Sequence, residues 1–127
     1  MEIILDTNAI SAMAENDTAI LPVLLANPNT AIPVVALGEY RYGLLGSRRR
    51  KELEKWLQRL LEVIPVLPIT EETTYVYAEI FHELRIKGRP IPVNDVWIAA
   101  LARQHTLPIL SRNAHFNEVN NVQRVGW

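Results

Sequence analysis

The fold of this chain is decided by one stretch, Val93-Asn94-Asp95-Val96-Trp97-Ile98-Ala99-Ala100-Leu101-Ala102, which is almost entirely apolar. A helix that is apolar on every side is buried, and Asn94 is a residue type that begins helices well. We therefore predict a buried helix from Asn94 to about His105. A buried acid is tolerated only when it is paired, hydrogen-bonded or bound to a metal, so Asp95 needs a partner.

Strands alternate with helices on both sides of this stretch. Short β-branched and apolar runs predict five strands, at 3–5, 30–35, 63–69, 108–110 and 122–125. Runs with helical spacing predict helices at 9–13, 19–26, 53–64 and 71–86, and a further helix that carries Glu39-Tyr40-Arg41-Tyr42-Gly43. Ser47 and Thr70 are suitable N-caps, and Gly88 stands where a helix end favours glycine. This order is typical of an α/β sandwich with a mainly parallel central sheet.

Composition limits the class of protein. The chain has 127 residues, of which 49% are hydrophobic and 21% charged, as expected for a single domain spanning 1–127. With no cysteine, a disulfide framework, a zinc thiolate site and a cysteine nucleophile are excluded. The net charge of −1 gives no general attraction to nucleic acid, so such binding has to be local. The N-terminus lacks the pattern of a signal peptide and no apolar run is long enough to span a bilayer, which predicts a soluble cytoplasmic protein without a membrane partner.

Acidic side chains are predicted to meet at one edge of the sheet. Asp6 and Asn113 follow predicted strands, whereas Glu39 and Asp95 lie early in helices. Each acid alone could be a helix cap or an ordinary first-turn residue. Together they would repel one another, by about 3 kcal/mol for two carboxylates about 5 Å apart, and a divalent cation would remove that cost. Oxygen ligands without cysteine or paired histidine favour Mg²⁺ or Mn²⁺, and the chemistry of such ions makes phosphodiester hydrolysis our hypothesis.

Several short motifs in a fixed order carry a family resemblance. They are Asp6-Thr7-Asn8 after the first strand, Glu39-Tyr40-Arg41-Tyr42-Gly43, Asn94-Asp95-Val96-Trp97-Ile98-Ala99-Ala100, Ile109-Leu110-Ser111-Arg112-Asn113-Ala114-His115-Phe116 and the terminal Val125-Gly126-Trp127. In this order they resemble a PIN domain, and more narrowly the toxin of VapBC toxin-antitoxin modules. The resemblance covers essentially the whole chain.

The resemblance implies both a fold and an activity. It implies a three-layer α/β/α sandwich and a Mg²⁺- or Mn²⁺-dependent endoribonuclease, usually dimeric, that a small antitoxin neutralises by occupying its groove. The family's three acids fall on Asp6, Glu39 and Asp95, which would be catalytic metal ligands. Its fourth position, often Asp, is Asn113 here, a neutral amide that would bind metal or orient water less strongly. Ser111 would contact water or metal, and Asn8 would be an accessory residue.

Two other readings of the sequence stay open. The chain could be a catalytically weak binding module whose acids hold a structural ion or a basic partner peptide, or a nuclease that acts on DNA. Arg48, Arg49 and Arg50 could contact RNA or the antitoxin, or form a solvated surface, and the same alternatives hold for Arg112. The histidines share no metal-ligand spacing, so His115 is expected to be structural or exposed. Trp56 and Trp97 are expected in the core rather than as base-stacking platforms.

Overall fold

The computed structural model describes residues 2–127, which form a five-stranded sheet with helices between the strands. The strands are β1 (Glu2–Leu5), β2 (Asn29–Pro33), β3 (Val66–Leu67), β4 (Ile109–Leu110) and β5 (Arg124–Val125). The α-helices are α1 (Thr7–Ala14), α2 (Leu21–Ala26), α3 (Val34–Leu45), α4 (Arg50–Val63), α5 (Glu71–Lys87) and α6 (Val93–His105), and a 3₁₀ helix spans Ala114–Glu118. No helix of this part of the chain is both long enough and apolar enough to cross a membrane.

The sheet is entirely parallel and its strand order is β3-β2-β1-β4-β5. Strand β1 lies at its centre, where Ile4 pairs with Ala31 on one side and with Ile109 on the other. Ile3, Ile4 and Leu5 are fully buried, because a central parallel strand is covered on both faces. The predicted α/β sandwich with a mainly parallel sheet of about five strands is confirmed.

The buried helix predicted around Asp95 is α6. Seven of its 13 residues are buried, among them Asp95 itself. The helix α6 packs along α5, and α1 packs against α3. Trp97 lies at the α5 side of α6, where its ring stacks on Tyr77 with 3.8 Å between centroids. It is only partly buried, as is Trp56, whose ring meets Tyr40 edge-on.

Several predicted boundaries are wrong by a few residues. The second strand ends at Pro33, where it pairs with Leu67, and the β-branched Val34 and Val35 begin α3 instead. Pairing decides this boundary, because β3 has only two residues and offers β2 no partner beyond Leu67. The fifth strand likewise begins at Arg124 rather than Val122.

Two predicted helix caps are also displaced. The residue before α6 is Pro92, so Asn94 lies inside the first turn and its side chain is free for another role. The residue before α4 is Arg49, and the Ser47 hydroxyl accepts a hydrogen bond from the Arg49 backbone N–H at 3.1 Å. Thr70 and Gly88 do flank α5 as predicted, with Gly88 in the left-handed conformation at φ +71°.

Candidate active site

Asp6 lies where β1 ends and α1 begins. Its backbone N–H donates to the Leu110 carbonyl of β4 at 3.1 Å, which continues the sheet pairing by one residue. Its side chain is 4% exposed. Oδ1 accepts from the Thr7 N–H at 2.8 Å and so caps α1, while Oδ2 accepts from the Ser111 hydroxyl at 2.6 Å. The capping role and the predicted site role therefore coexist in this residue.

Asp95 lies in the first turn of α6 and is 7% exposed. Its Oδ2 accepts from the Asn113 side-chain amide at 3.1 Å and lies 3.0 Å from His115 Nδ1. Both contacts are made to the same oxygen. Among residues 2–127 no hydrogen-bond partner is seen for Oδ1, so that oxygen is left for a ligand.

Glu39 approaches the same region from the second turn of α3. Its Oε1 accepts from the Thr7 hydroxyl at 3.2 Å, and the Asn94 side chain lies close enough to the carboxyl group to lower its pKa. Thr7, at the start of α1, thus orients the third acid. Asn94 lies in the first turn of α6, one residue after the start of that helix.

The three carboxyl groups interact electrostatically. Burial raises the pKa of Asp6 above its usual value, and the charge of Asp95 adds to the rise, although hydrogen bonds from Ser111 and Thr7 oppose it. Burial also raises the pKa of Glu39, to which Asp6 and Asp95 add, while the bonds from Thr7 and Asn94 oppose it. A raised carboxyl pKa means that the charged form is disfavoured where it stands. A cation would relieve this penalty in Asp6 and Glu39.

The acidic side chains that converge here do not form a complete metal site by themselves. Within residues 2–127, no three acidic or histidine side chains come close enough together to hold one ion by themselves. The arrangement is therefore an acidic edge with oxygens from several elements, which water and a ligand would have to complete.

Ser111 is the centre of the hydrogen bonds beneath this edge. Its fully buried hydroxyl donates to Asp6 and accepts from the Asn8 side-chain amide at 3.2 Å and from the Asn113 N–H at 2.9 Å. The predicted accessory residues Ser111 and Asn8 are thus brought together. Ser111 was expected to contact water or metal, and in the structure its hydroxyl bonds to Asp6, Asn8 and Asn113.

The family to which this architecture belongs is decided by comparison with known proteins. The family model described as "PIN domain" matches residues 3–122. This chain is a PIN-domain protein. The resemblance read from the sequence motifs is confirmed.

Curated relatives and a solved structure match the PIN domain over nearly its whole length. It is 28% identical to "Ribonuclease VapC5" of Mycobacterium tuberculosis, covering 96% of this chain and 90% of that protein. It is 31% identical to "VapC ribonuclease Y4jK" of Sinorhizobium fredii, covering 87% and 86%. The crystal structure of VapBC2 from Rickettsia felis, bound to a DNA fragment from its promoter, matches with a TM-score of 0.87 at 26% identity and covers 100% of this chain and 99% of that one.

The arginines predicted to contact RNA or the antitoxin are only partly free of ion pairs in this PIN domain. Arg49 pairs with Glu15 at 2.7 Å and with Glu52 at 3.0 Å, and Arg50 pairs with Glu54 at 2.9 Å. Arg48 is exposed and shows no ion pair within the described residues. A partner would thus find Arg48 unpaired and would have to compete with carboxylates for the other two.

Arg112 lies beside the site but is held by the chain terminus. Its guanidinium stacks 4.6 Å from the centre of the Trp127 ring, and Nε donates to the Trp127 carbonyl at 3.2 Å. Its backbone N–H donates to the Asn8 side chain at 3.3 Å. The guanidinium lies 3.9 Å from Asp17 Oδ2 and remains half-exposed, so an anionic partner would compete with Asp17 for it.

Sequence reasoning missed three residues that shape the site: Thr7, Asn94 and His115. Thr7 and Asn94 lie in quoted motifs, but no local signal shows that both reach Glu39, which is 32 residues from Thr7. His115 was expected to be structural or exposed; its ring is half-exposed, and it also contacts Asp95. Its position two residues after Asn113, at the start of the 3₁₀ helix, is the only hint the sequence holds.

Proposed function

We propose that this PIN domain is a metal-dependent endoribonuclease that hydrolyses RNA phosphodiester bonds and acts as the toxin of a toxin-antitoxin pair. The observation that supports it best is that hydrogen bonds from Ser111, Thr7 and Asn113 hold Asp6, Glu39 and Asp95 at one edge, where the charges of Asp6 and Asp95 add to the raised pKa of Glu39. The relatives from Mycobacterium tuberculosis and Sinorhizobium fredii are named ribonucleases, which supports the choice of RNA as substrate.

The donor set fits Mg²⁺ or Mn²⁺ better than a metal that needs a rigid cage. Mg²⁺ in proteins usually keeps several waters and is bound by one or two carboxylates together with substrate phosphates. Asp6 and Asp95, with Glu39, would hold the ion, and Asp95 Oδ1 has no competing hydrogen bond in the described residues. When bound, such an ion supplies charge neutralisation, polarisation of a phosphoryl oxygen and activation of water.

The chain's own residues contribute orientation. Ser111 and the Thr7 N–H fix the two oxygens of Asp6, while Asn113 and His115 fix Asp95 through Oδ2. Carboxylates held in this way do not have to be reoriented when substrate arrives. Asn113 therefore acts by positioning Asp95, and its neutral amide is suited to that task because it donates a hydrogen bond that an ionised Asp could not.

The family resemblance and the relatives also suggest partners. We infer that a small cognate antitoxin binds this chain and that the chain forms a homodimer. The Rickettsia felis relative was solved as a VapBC assembly. We also infer that Arg48 and the half-exposed Arg112 contact the RNA backbone or the antitoxin.

An RNA cleavage assay with metal titration tests the proposed function. The purified protein should cleave RNA when Mg²⁺ or Mn²⁺ is added and should stop when the ion is chelated. Asp6→Asn and Asp95→Asn should each lower the rate at least about 100-fold, the scale seen when a key charge-stabilising group is lost. Glu62→Gln, a charge removed from the exposed surface of α4, is the matched control.

The outcome also separates the alternative function. A catalytically weak binding module would bind the ion without cleaving RNA. Equal cleavage by wild type, Asp6→Asn and Asp95→Asn would overturn the assignment of the site. In cells, expression should arrest growth, and co-expression of the small protein encoded next to this chain should relieve the arrest.

A further inference from the structure

A cavity of about 230 Å³ opens beside Glu39, between α1, α3 and α4. It shares Thr7 and Glu39 with the acidic edge, so any group that fills it lies next to the groups proposed to act on the phosphate. Its far end reaches Ser47 and Leu53. The cavity therefore runs from the proposed reaction centre along the surface groove between these helices.

The walls of this cavity have mixed polarity. Hydroxyl groups come from Ser11 and Ser47, and apolar surface comes from Leu44 and Leu53. The carboxylate of Glu15 is matched by Arg49 at 2.7 Å, so the cavity carries little net charge at that end. Apolar faces with a few polar groups at the edges suit a flat, partly polar ring.

Tyr40 adds an unused polar group to the same wall. Its hydroxyl is buried and has no hydrogen-bond partner within residues 2–127. Burial raises the pKa of this phenol, the charge of Glu15 adds to the rise and Arg49 opposes it, which places the hydroxyl near the Glu15–Arg49 pair. Buried polar groups normally find a partner, and a small movement of the Tyr40 side chain toward the cavity would let a bound molecule supply one.

We propose that this cavity is the subsite for a nucleoside that flanks the scissile phosphate of RNA. The inference rests on the proposed function and extends it to substrate recognition. The volume is below the range of about 300–1,000 Å³ typical of pockets for drug-sized ligands, so it suits one base with its ribose rather than a larger molecule. Continuity with Glu39 explains why that nucleoside would neighbour the cleaved bond.

Substitutions at Gly43 can test the proposed role of the cavity. It lines the cavity, lies in α3 with ordinary helical backbone, and a Cβ added there meets no atom within 4 Å. Gly43→Leu would therefore fill the subsite without displacing the wall, and Gly43→Ala is a smaller step in the same direction. Gly38→Leu is the matched control, because Gly38 lies in the same helix, also faces open space and does not line the cavity.

The experiment uses a short single-stranded RNA whose cleavage site has been mapped with the wild-type protein. Two analogues each carry one abasic ribose, on either side of the cleaved bond. At one of these positions the wild type should lose about tenfold in kcat/KM, within the range expected for losing one base contact. Gly43→Leu should lose about tenfold on the intact RNA, mainly through KM, and should lose nothing further on that abasic analogue, because the contact is already gone.

The outcomes are separable from failure of the proposed function. Absence of RNA cleavage by the wild type with Mg²⁺ would refute the nuclease itself. Cleavage by the wild type that Gly43→Leu leaves unchanged, or equal abasic losses in both proteins, would overturn the subsite alone. Loss of antitoxin binding by Gly43→Leu with full RNA cleavage would also overturn it and would assign the cavity to the protein partner. Unchanged Mg²⁺ binding and a melting temperature at or above that of the wild type, as expected when glycine inside a helix is replaced by Leu, verify that the fold and the acidic edge are intact in Gly43→Leu.

Discussion

At the scale of single residues, the site depends on the donors that hold its carboxylates. Asp95 is buried at the start of a nearly apolar helix, and two side chains from the segment after β4 share one of its oxygens. That arrangement leaves its other oxygen free. Packing, rather than solvent, fixes the orientation of the carboxyl group. The two side chains are those of Asn113 and His115. His115 is thus a positioning residue for Asp95.

Substitution of His115 tests this role. His115→Ala should lower both Mg²⁺ affinity and kcat/KM for RNA about tenfold, since partners of metal-binding groups typically contribute 10- to 100-fold. His115→Asn should restore much of the loss, because its amide nitrogen can take the place of Nδ1, which lies 3.0 Å from Asp95 Oδ2. His115→Gln should not restore it, because its amide lies farther out. His82→Ala, on the exposed side of α5, is the control, and wild-type behaviour of His115→Ala would contradict the prediction.

At the scale of elements, helix ends place the side chains that matter. Pro92 precedes α6 and puts Asp95 and Asn94 in its first turn, while Asp6 both ends β1 and caps α1. The helix α5, against which α6 packs, ends at Gly88 with φ +71°. The residues after this turn, Arg89 to Pro92, carry the chain back to the start of α6, so the α5 end also fixes where α6 begins.

The importance of the left-handed conformation at Gly88 can be tested by the loss of stability when this residue is replaced. A side chain at a left-handed position is strained, so Gly88→Ala should lower the free energy of unfolding by about 1 kcal/mol. Gly46→Ala is the comparison, because Gly46 also ends a helix but has φ −97° and should tolerate Ala without loss. Urea unfolding followed by circular dichroism measures both. Equal losses in the two variants would show that the left-handed conformation is not the cause.

At the scale of the whole molecule, the acidic edge joins distant parts of the chain. Asp6 and Ser111 are 105 residues apart, and both meet through the pairing of β1 with β4 at the centre of the sheet. An ion held by Asp6, Glu39 and Asp95 would bind only the folded state, so it would stabilise the entire domain.

Metal binding should therefore be visible in thermal melting. At a free ion concentration 100 times its dissociation constant, Mg²⁺ or Mn²⁺ should add about 2.7 kcal/mol to the free energy of unfolding and raise Tm by several degrees. NaCl at matched ionic strength should not reproduce the shift. The shift should shrink in Asp6→Asn and Asp95→Asn, whereas an undiminished shift in both would place the ion elsewhere.

Much of the fold was predictable because its signals are local. Apolar runs and helical spacing depend on neighbours within a few residues, and they predicted all five strands, the six α-helices and the parallel sheet. Boundaries failed where pairing decides them, as at Pro33, and the 3₁₀ helix at Ala114–Glu118 carried no periodic signal that could reveal it. That Asp6, Glu39, Asp95 and Asn113 come together was predictable because strand ends and helix starts of a parallel sheet share one edge, and their role as the site stays a prediction.

The sequence by itself determined the family, the alternation of strands and helices, the burial of α6 and the presence of acids at one edge. Only the tertiary structure decided which oxygens of the acids accept hydrogen bonds and that Ser111 donates to Asp6. It also decided that Thr7 and Asn94 lie beside Glu39, and that Arg49 pairs with Glu15. The physical reason is how far apart the interacting residues lie along the chain. Periodicity and helix capping are set within one or two turns of chain, whereas these contacts join residues 32 to 105 positions apart, or elements that meet only once the sheet has ordered them.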